Sequence, residues 1–392
     1  MRLKKRSRIQ IAITVMILSN CILYYLYLND LSSLKLLSIR DLNPYGGWSV
    51  LKSLFTDVSY RYRGITKAMA LTLSIAVTAA LFGRIFCGYI CPIGALQDFS
   101  RFIGDKLGVK EKKLPQHKSF QPEKIKYFLL ILLLVLSTIG LGHYLSDLSV
   151  WLAYVNLFTG IDIGTGFILL VIITCLSMIY RRVFCRCFCP LGAFQGLFYA
   201  IGPLKINRNE SCNGCSTCLD HCPVGIRYSE ATEISPECIN CLQCIESTCV
   251  KNTAGYSIQF AGRRLKNSVY ITISLGLLFL IYALLPLSQS YGGSPGRIGM
   301  GNIAEGIYQG TGVGFGGNIQ VQVTVKENKI EKIDLIDHRE TSGYYEEVYR
   351  SISRAIIETQ SLNVDVISGA TATSRGFLNG VKSGVSQAMS KD

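Results

Sequence analysis

The sequence predicts a polytopic α-helical membrane protein with about five spanning helices, an inserted α/β domain and a C-terminal α+β domain. Three observations support this fold class. Hydrophobic residues make up 49% of the 392 residues and mean hydropathy is +0.31, which is high for a soluble protein. Most of the 15 cysteines stand in short, ordered clusters. The C-terminal part contains segments that alternate in polarity, as strands do.

Five apolar runs are long enough to cross a bilayer, because about 20 apolar residues span its hydrocarbon layer. Buried helices of a soluble protein are the alternative for each run, and the presence of five such runs disfavours it. The runs cover residues 9–28, 68–86, 127–145, 163–180 and 269–287.

Basic flanks predict the orientation of these runs. The formal net charge is +14, and the positive excess lies in the first 296 residues. Lys and Arg at the N-terminus and in the loop 105–126 fall on one side, which the positive-inside rule makes cytoplasmic. The basic loop 29–67 argues weakly against this. We therefore expect a multi-pass protein of the cell membrane, with a cytoplasmic N-terminus, an extracytoplasmic C-terminal domain and no nucleic-acid partner.

The spans divide the chain into four parts. The parts are a membrane domain at 1–204, a cytoplasmic cysteine-rich domain at 205–262, the fifth span within 263–290, and the extracytoplasmic domain at 291–392. Within the membrane domain, the first external loop contains the Pro/Gly turn PYGGW at 44–48, to which we assign no chemical role.

An internal repeat carries paired cysteines. RIFCGYICPIGALQDFSRFIG at 84–104 and RVFCRCFCPLGAFQGLFYAIG at 182–202 match at ten of 21 positions. Each copy follows a helix that runs inwards, so both place a C-x3-C-P motif at the cytoplasmic membrane surface. Four converging thiolates suit an iron–sulfur cluster or zinc, and a redox-active dithiol pair or structural cysteines are the alternatives. The four are Cys87, Cys91, Cys185 and Cys189, and the second copy adds Cys187.

Eight further cysteines, in CNGCSTCLDHCP and CINCLQCIESTC, have the spacing of a bacterial two-cluster ferredoxin. In this arrangement three thiolates of a run bind one [4Fe-4S] cluster and the fourth crosses to the other. The second run departs from the pattern, with four residues before its last cysteine and Val250 in place of proline. Zinc is the alternative metal. Cluster 1 is predicted to use Cys212, Cys215, Cys218 and Cys249, and cluster 2 Cys238, Cys241, Cys244 and Cys222.

With these motifs, the chain resembles the NosR/NapH-type membrane polyferredoxins over about residues 9–250. That resemblance implies electron transfer between the cytoplasm or the quinone pool and redox systems outside the membrane. The inserted α/β domain is then a two-cluster ferredoxin domain, and the C-x3-C-P cysteines are candidates for a further cluster.

The C-terminal segment predicts a small α+β domain. Five glycines, at 310, 312, 314, 316 and 317, predict a flexible turn region before strands at 319–325 and 330–336. Helices are predicted at 345–360 and from about Arg375, and the run SGATATS can act simply as the cap of the last helix. His338, Glu340 and Thr341 are interpreted as a loop that is polar for solvation alone, although they also resemble a short patch near the flavin in the family described next.

The same segment also resembles the FMN-binding domain of the NqrC and RnfG subunits and of NosR. Members of that family carry the motif D-x-x-[ST]-G-A-T and receive FMN through a phosphoester to its last threonine. The resemblance implies that Thr371 carries the flavin and that Asp365, Ser368, Gly369 and Ala370 complete the motif.

We therefore expect an oxidoreductase or electron-transfer flavoprotein without a catalytic residue of its own. Electrons would pass from the cytoplasm through the clusters to an external, covalently bound FMN. A redox-sensing regulator or metalloenzyme-maturation factor of NosR type is the alternative. Expected partners are an FMN transferase, a cytoplasmic donor such as ferredoxin or a dehydrogenase, or quinone, and an external acceptor. How electrons cross the roughly 30 Å hydrocarbon layer is left open by the sequence.

Overall fold

A computed structural model describes most of the chain. Its N-terminal two thirds are largely helical, and its C-terminal part combines a sheet with two helices. The described residues are 5–28, 31, 37, 41–45, 67–112, 114, 122–139, 148–159, 165–209, 212, 222–226, 234–246, 256–285, 303–362, 364, 366–367 and 370–389.

Helices make up most of the described residues before position 286. A π-helical turn, Phe86–Ile90, and a 3-10 turn, Pro122–Lys124, join some of them. The helices are α1 (Lys5–Leu28), α2 (Lys67–Phe82), α3 (Pro92–Lys106), α4 (Ile125–Ile139), α5 (Val150–Thr159), α6 (Thr165–Ile179), α7 (Val183–Cys187), α8 (Pro190–Ile201), α9 (Gln243–Glu246) and α10 (Asn267–Leu284).

Two helices among the described residues are long and apolar enough to cross a membrane, Arg6–Tyr27 within α1 and the whole of α10. The second and fourth predicted spans form the shorter apolar helices α2 and α6. Helix α2 ends at Phe82 because Gly83 takes a left-handed φ of 75°. The third predicted span extends past α4 into residues outside the described part of the chain. Five spanning helices are therefore not confirmed.

The C-P dipeptide of each repeat unit begins a helix. Cys91 precedes α3 and Cys189 precedes α8, each at the N-cap, with proline at the first helical position. Proline suits that position because its fixed φ is helical and its missing N–H has no intrahelical partner to lose. The first cysteines differ, since Cys87 lies in the π-helical turn and Cys185 in α7. The repeat thus places its second thiols at two helix N-termini.

Helix α5 and a small sheet complete this part of the molecule. Helix α5 lies in the segment predicted as an external loop, and it packs against α1, α3 and α6. Strands β1 (Leu204–Arg208), β2 (Tyr256–Phe260) and β3 (Arg263–Arg264) form an antiparallel sheet in that order. Because β1 pairs with β2 along its whole length, the two ends of the cysteine-rich insertion are held side by side.

The C-terminal domain packs two helices on an antiparallel sheet. Its strands are β4 (Gly306–Val313), β5 (Asn318–Lys326) and β6 (Lys329–Asp337), and its helices are α11 (Tyr345–Thr359) and α12 (Thr371–Met389). The turn between β5 and β6 has positive φ at Glu327 and Asn328, as two-residue hairpins require. Alternate residues of β5 are buried in its core, namely Ile319, Val321, Val323 and Val325.

Two of the five glycines predicted to form a flexible turn lie instead in a strand. Gly310 and Gly312 belong to β4, where α12 crosses the sheet. A Cβ at Gly310 would overlap the carbonyl oxygen of Gly380, and one at Gly312 would overlap that of Gly376. The turn prediction is therefore wrong at these positions, and glycine serves the close approach of strand and helix.

Candidate redox sites

The four thiols of the repeat come together in the structure. Cys87, Cys91, Cys185 and Cys189 are all buried, and Cys91 lies within electrostatic range of the other three. Burial raises the pKa of Cys185 to about 12 and that of Cys91 well above its ordinary value. Without a metal Cys185 and Cys91 are neutral thiols, so binding of a metal has to displace their protons.

Polar groups from both repeat units contact the sulfur atoms. The Gln97 amide in α3 donates to Cys185 Sγ of the other unit at 3.1 Å, and its oxygen accepts from the Phe184 amide at 3.1 Å. The Gly192 backbone N–H donates to Cys189 Sγ at 3.4 Å. Such contacts orient metal ligands and adjust their electronic properties. The two units therefore form one site rather than two separate cysteine pairs.

Two buried arginines hold the two repeat units together. Arg84 and Arg182 are each 1% exposed, and each packs against a glycine of the opposite unit. A Cβ at Gly192 would lie 2.9 Å from an Arg84 nitrogen, and one at Gly94 would lie 3.3 Å from an Arg182 nitrogen. Arg182 also donates to both carboxylate oxygens of Asp98, at 2.8 and 2.7 Å. These cations stabilise negative charge on the neighbouring thiolates.

Four buried thiols are a donor set that suits an iron–sulfur cluster, in which iron and sulfide stand between the thiolates. Gln195, which matches Gln97 in the repeat, is buried, and neither of its amide atoms has a hydrogen-bond partner. A buried unpartnered amide is costly unless a further group contacts it.

The predicted two-cluster ferredoxin domain, called the ferredoxin segment below, contains a cavity that is lined by the predicted ligands of cluster 2. These cysteines line it together with apolar residues that include Val224 and Ile239. Of the predicted ligands of cluster 1, Cys212 lies within the described residues, whereas Cys215, Cys218 and Cys249 lie outside them. The four cysteines around the cavity are Cys222, Cys238, Cys241 and Cys244.

This cavity lies against the first C-x3-C-P motif. Cys87 and Cys241 belong to one buried apolar cluster, and the Tyr89 hydroxyl donates to the carbonyl oxygen of Cys241 at 3.4 Å. A Cβ at Gly88 would lie 2.5 Å from the carbonyl oxygen of Ile239, so the two backbones touch there. Cys241, one of the cysteines predicted for cluster 2, is thus a neighbour of Cys87 in the repeat.

Glu237 anchors the ferredoxin segment to the helices. Its carboxylate accepts from Arg84 at 3.0 Å, from Tyr127 at 2.8 Å and from Lys126. Burial alone would raise the pKa of Glu237, but Arg84 and Lys126 outweigh it and hold that pKa below its ordinary value. Nothing in the sequence signals this contact, because the partners of Glu237 are about 110 and 150 positions away.

The D-x-x-S-G-A-T motif ends at the N-terminus of α12. Thr371 is the first residue of this 19-residue helix, which therefore begins four positions before the predicted Arg375. The Ser374 hydroxyl accepts from the backbone N–H of Ile367 at 3.1 Å and holds the preceding segment against the helix. Ala370 is buried. The other motif residues, Asp365, Ser368 and Gly369, lie outside the described residues.

Glu340 lies close to this helix end, and the prediction that it belongs to a solvated loop is wrong because the side chain is buried. Its side chain is 8% exposed. One oxygen accepts from the Gly316 N–H at 2.8 Å, and the other accepts from the Thr373 hydroxyl. A buried carboxylate that accepts two hydrogen bonds is part of the packed structure and not a solvated group. Two signals in the sequence point to it, its position after β6 beside the glycine-rich turn and the resemblance of this loop to a family patch near the flavin.

The C-terminal domain contacts the C-terminal end of α1. The Tyr24 hydroxyl donates to Glu347 of α11 at 3.2 Å. The Arg350 guanidinium lies 4.6 Å from the centre of the Tyr27 ring and donates to the Tyr27 carbonyl oxygen. At the other end of α1, Arg6 bonds to Gly88 O at 3.0 Å and to Asp98. One helix thus connects the cysteine repeat with the C-terminal domain.

Comparison with protein families agrees with these sites. A family model described as a 4Fe-4S binding domain matches residues 67–110 and again 163–209, which contain the two repeat units. A model described as an FMN-binding domain matches residues 314–386, which contain Glu340 and Thr371. The repeat and the C-terminal domain are therefore a 4Fe-4S binding region and an FMN-binding domain.

Several relatives match about half of this chain or more. YccM of Escherichia coli K12 is 32% identical over 200 residues, which are 49% of this chain and 56% of YccM. The uncharacterised protein MJ0750 of Methanocaldococcus jannaschii is 33% identical over 205 residues, 51% of this chain and 82% of that protein. The ferredoxin-type protein NapH of Haemophilus influenzae is 24% identical over 273 residues, 60% of this chain and 90% of NapH.

The fold and sites define an electron-transfer protein that combines 4Fe-4S binding units with an FMN-binding domain. Within that class, the chain belongs to the NosR/NapH-type membrane polyferredoxins. Its match covers little more than half the length of YccM.

Proposed function

We propose that this protein carries electrons from a cytoplasmic donor through iron–sulfur clusters to an extracytoplasmic FMN, which then reduces an external acceptor. The observation that carries the proposal is the position of α1. Arg6 bonds to the cysteine repeat, whereas Tyr24, 18 residues further on, bonds to the FMN-binding domain. At 1.5 Å per residue these contacts are about 27 Å apart, close to the thickness of the hydrocarbon layer.

The other helices support the same topology. Tyr270, near the start of α10, donates to the Phe82 carbonyl at the end of α2 at 2.7 Å. Tyr282, near the end of α10, donates to the Asp41 carbonyl at 3.4 Å. Five spans formed by α1, α2, α4, α6 and α10 would leave the repeat and ferredoxin segment cytoplasmic and the FMN-binding domain outside.

Three [4Fe-4S] clusters are assigned under this proposal. Cluster 1 and cluster 2 use the eight ferredoxin cysteines as the sequence predicts. The third uses the repeat, where four buried thiols meet and buried cations offset the charge of the thiolates. Contact between Tyr89 and Cys241 gives electrons a short route from cluster 2 to this third site. The third cluster is held by Cys87, Cys91, Cys185 and Cys189.

The FMN is held covalently on Thr371. The first turn of a helix offers unpaired N–H groups and the positive end of the helix dipole, both of which favour a phosphate. Glu340 and Ser374 fix the surrounding backbone through Gly316, Thr373 and Ile367. When bound, FMN collects two electrons that clusters deliver singly. Attachment outside the cell keeps the flavin from being diluted away and requires an FMN transferase as a maturation partner.

Mass spectrometry of the full-length protein tests the attachment. We expect the C-terminal peptide to carry one FMN on Thr371 in the wild type and none in Thr371→Ala. Thr359→Ala, at an exposed position in α11, is the matched control and should keep the flavin. Flavin retained at another residue in Thr371→Ala would contradict the assignment.

Turnover separates electron transfer from a NosR-type regulatory or maturation role. Membranes supplied with reduced ferredoxin should reduce an external acceptor in the wild type, and Thr371→Ala should abolish that rate. An unchanged rate in Thr371→Ala would exclude a flavin-dependent electron path.

A further inference from the structure

The segment 41–45, which includes the first two residues of PYGGW, lies between the cysteine repeat and the FMN-binding domain. The Asp41 carbonyl accepts from Tyr282 of α10 at 3.4 Å. The Pro44 carbonyl accepts from the Thr72 hydroxyl of α2 at 3.1 Å. Asn43 and Pro44 are buried. Two helices therefore fix the path of this segment through hydrogen bonds to its backbone.

The side chains of this segment contact both regions. The Asn43 amide donates to the Tyr344 hydroxyl of the FMN-binding domain at 2.8 Å. The Asn43 oxygen accepts from the backbone N–H of Tyr45 at 3.0 Å. The Tyr45 hydroxyl lies 3.7 Å from Cys189 Sγ. These contacts form a continuous path from the FMN-binding domain to a thiol of the cysteine repeat.

The direction of the last contact follows from the chemistry of a metal ligand. A cysteine that binds iron is a thiolate and has no proton to donate, so the Tyr45 phenol is the donor. Hydrogen bonds to cluster sulfurs are among the groups that set a cluster's reduction potential. A donor stabilises the reduced state most, because that state carries more negative charge on sulfur.

We propose that Tyr45 is a positioning residue that raises the reduction potential of the third cluster, and that Asn43 couples this effect to docking of the FMN-binding domain. The inference rests on the proposed function, because it takes the repeat as a cluster site. The sulfur of Cys189 then accepts from Gly192 and Tyr45 together. In this proposal, Asn43 holds the Tyr45 backbone in position only while the Asn43 amide is bonded to Tyr344.

A redox titration of the purified full-length protein, followed by electron paramagnetic resonance, tests the role of Tyr45. In Tyr45→Phe we expect the midpoint of one cluster to move to a more negative potential while the others stay unchanged. Iron and sulfide content should equal that of the wild type. The control is Tyr282→Phe, which removes a hydroxyl bonded to the same segment but distant from sulfur, and it should move no midpoint.

Two outcomes for Tyr45→Phe would overturn the proposal. Unchanged midpoints would show that the phenol does not affect the cluster. Loss of iron would show that it is needed for assembly rather than for tuning. If instead the wild type shows no third cluster, or its flavin takes no electrons from the clusters, the proposed function fails, and that result is seen without any variant.

Tyr344→Phe tests the coupling from the other side. It removes the acceptor of the Asn43 amide but leaves Tyr45 and Cys189 in place. We expect a shift of the same cluster in the same direction as in Tyr45→Phe, and smaller. A midpoint identical to that of the wild type would overturn the role of Asn43.

Discussion

The cysteine repeat assembles its site from buried side chains of two facing units, whereas the FMN-binding domain assembles its site from backbone contact. In the repeat, Arg84 and Arg182 reach across to the opposite unit, and Gln97 contacts a cysteine of that unit. In the FMN-binding domain, Gly310 and Gly312 let β4 touch α12. Duplication supplied the first site with matching parts. In the FMN-binding domain, strand and helix can touch because glycines leave out side chains between them, so the two regions should fail independently.

Loss of a repeat cysteine should have the largest effect. Cys189→Ser removes a ligand that is also a helix N-cap, so the third cluster should not assemble. Iron content should fall by about four atoms per chain, the content of one [4Fe-4S] cluster, while FMN stays at the wild-type level.

Cys187→Ser is the matched control for this variant. Cys187 is buried, but the groups that affect it electrostatically are Arg186, Glu123, Lys126 and Glu237 rather than the other repeat thiols. Elemental analysis should find its iron unchanged. Full iron in Cys189→Ser, or loss of flavin along with iron, would contradict the separation of the two regions.

Gly312→Ala should damage the FMN-binding domain and spare the clusters. The new Cβ would overlap the Gly376 carbonyl oxygen, and overpacking of this kind costs about 1–3 kcal/mol or more. Thermal unfolding followed by flavin fluorescence should occur at a lower temperature, with cluster spectra unchanged at room temperature. Thr311→Val, exposed on the same strand, should have little effect. Equal stability of the wild type and Gly312→Ala would show that strand and helix have room to separate.

Glu237→Gln should weaken the contact between the ferredoxin segment and the helices. Removing one partner of a buried ion pair costs about 3–5 kcal/mol, and Glu237 is partly exposed, so we expect less. Because its folded pKa lies below its ordinary value of 4.5, its contribution is full above that pH and is lost as pH falls through the folded value. Glu246→Gln, on the same segment, is the control.

Proteolysis of the ferredoxin segment between pH 7 and pH 3 checks this contribution. The wild type should become sensitive at acid pH, whereas Glu237→Gln should already be sensitive at neutral pH. The same pH profile in both proteins would show that the carboxylate does not hold the segment.

Glu340→Gln should have the smallest effect. The amide keeps the size of the carboxylate but loses its charge, and its two hydrogen bonds should weaken by about 1–2 kcal/mol. We expect slower flavin attachment, measured as FMN per chain early after induction, with wild-type iron content. Glu331→Gln, exposed on β6, should leave both unchanged. If flavin is attached at the wild-type rate in Glu340→Gln, the charge of Glu340 is not needed and its role is packing alone.

Short-range patterns in the sequence predicted much of this molecule. Cysteine spacing predicted four cysteines that surround one cavity, and the alternation at 319–325 predicted β5 because alternate residues of a strand face opposite sides of a sheet. Prediction fails where a residue's role depends on a distant partner. The sequence predicts a turn at Gly312 because the helix that Gly312 contacts is about 60 positions away, and it indicates no role for Tyr45 because Cys189 is 144 positions away.

Electron flow from clusters to flavin is tested most directly in inverted membrane vesicles, whose cytoplasmic face is outside and which reduced ferredoxin cannot enter. The flavin absorbance should bleach on addition of reduced ferredoxin to wild-type vesicles. In Cys189→Ser vesicles with the same FMN content, bleaching should be lost. Bleaching at the wild-type rate in Cys189→Ser would contradict a path through the cysteine repeat.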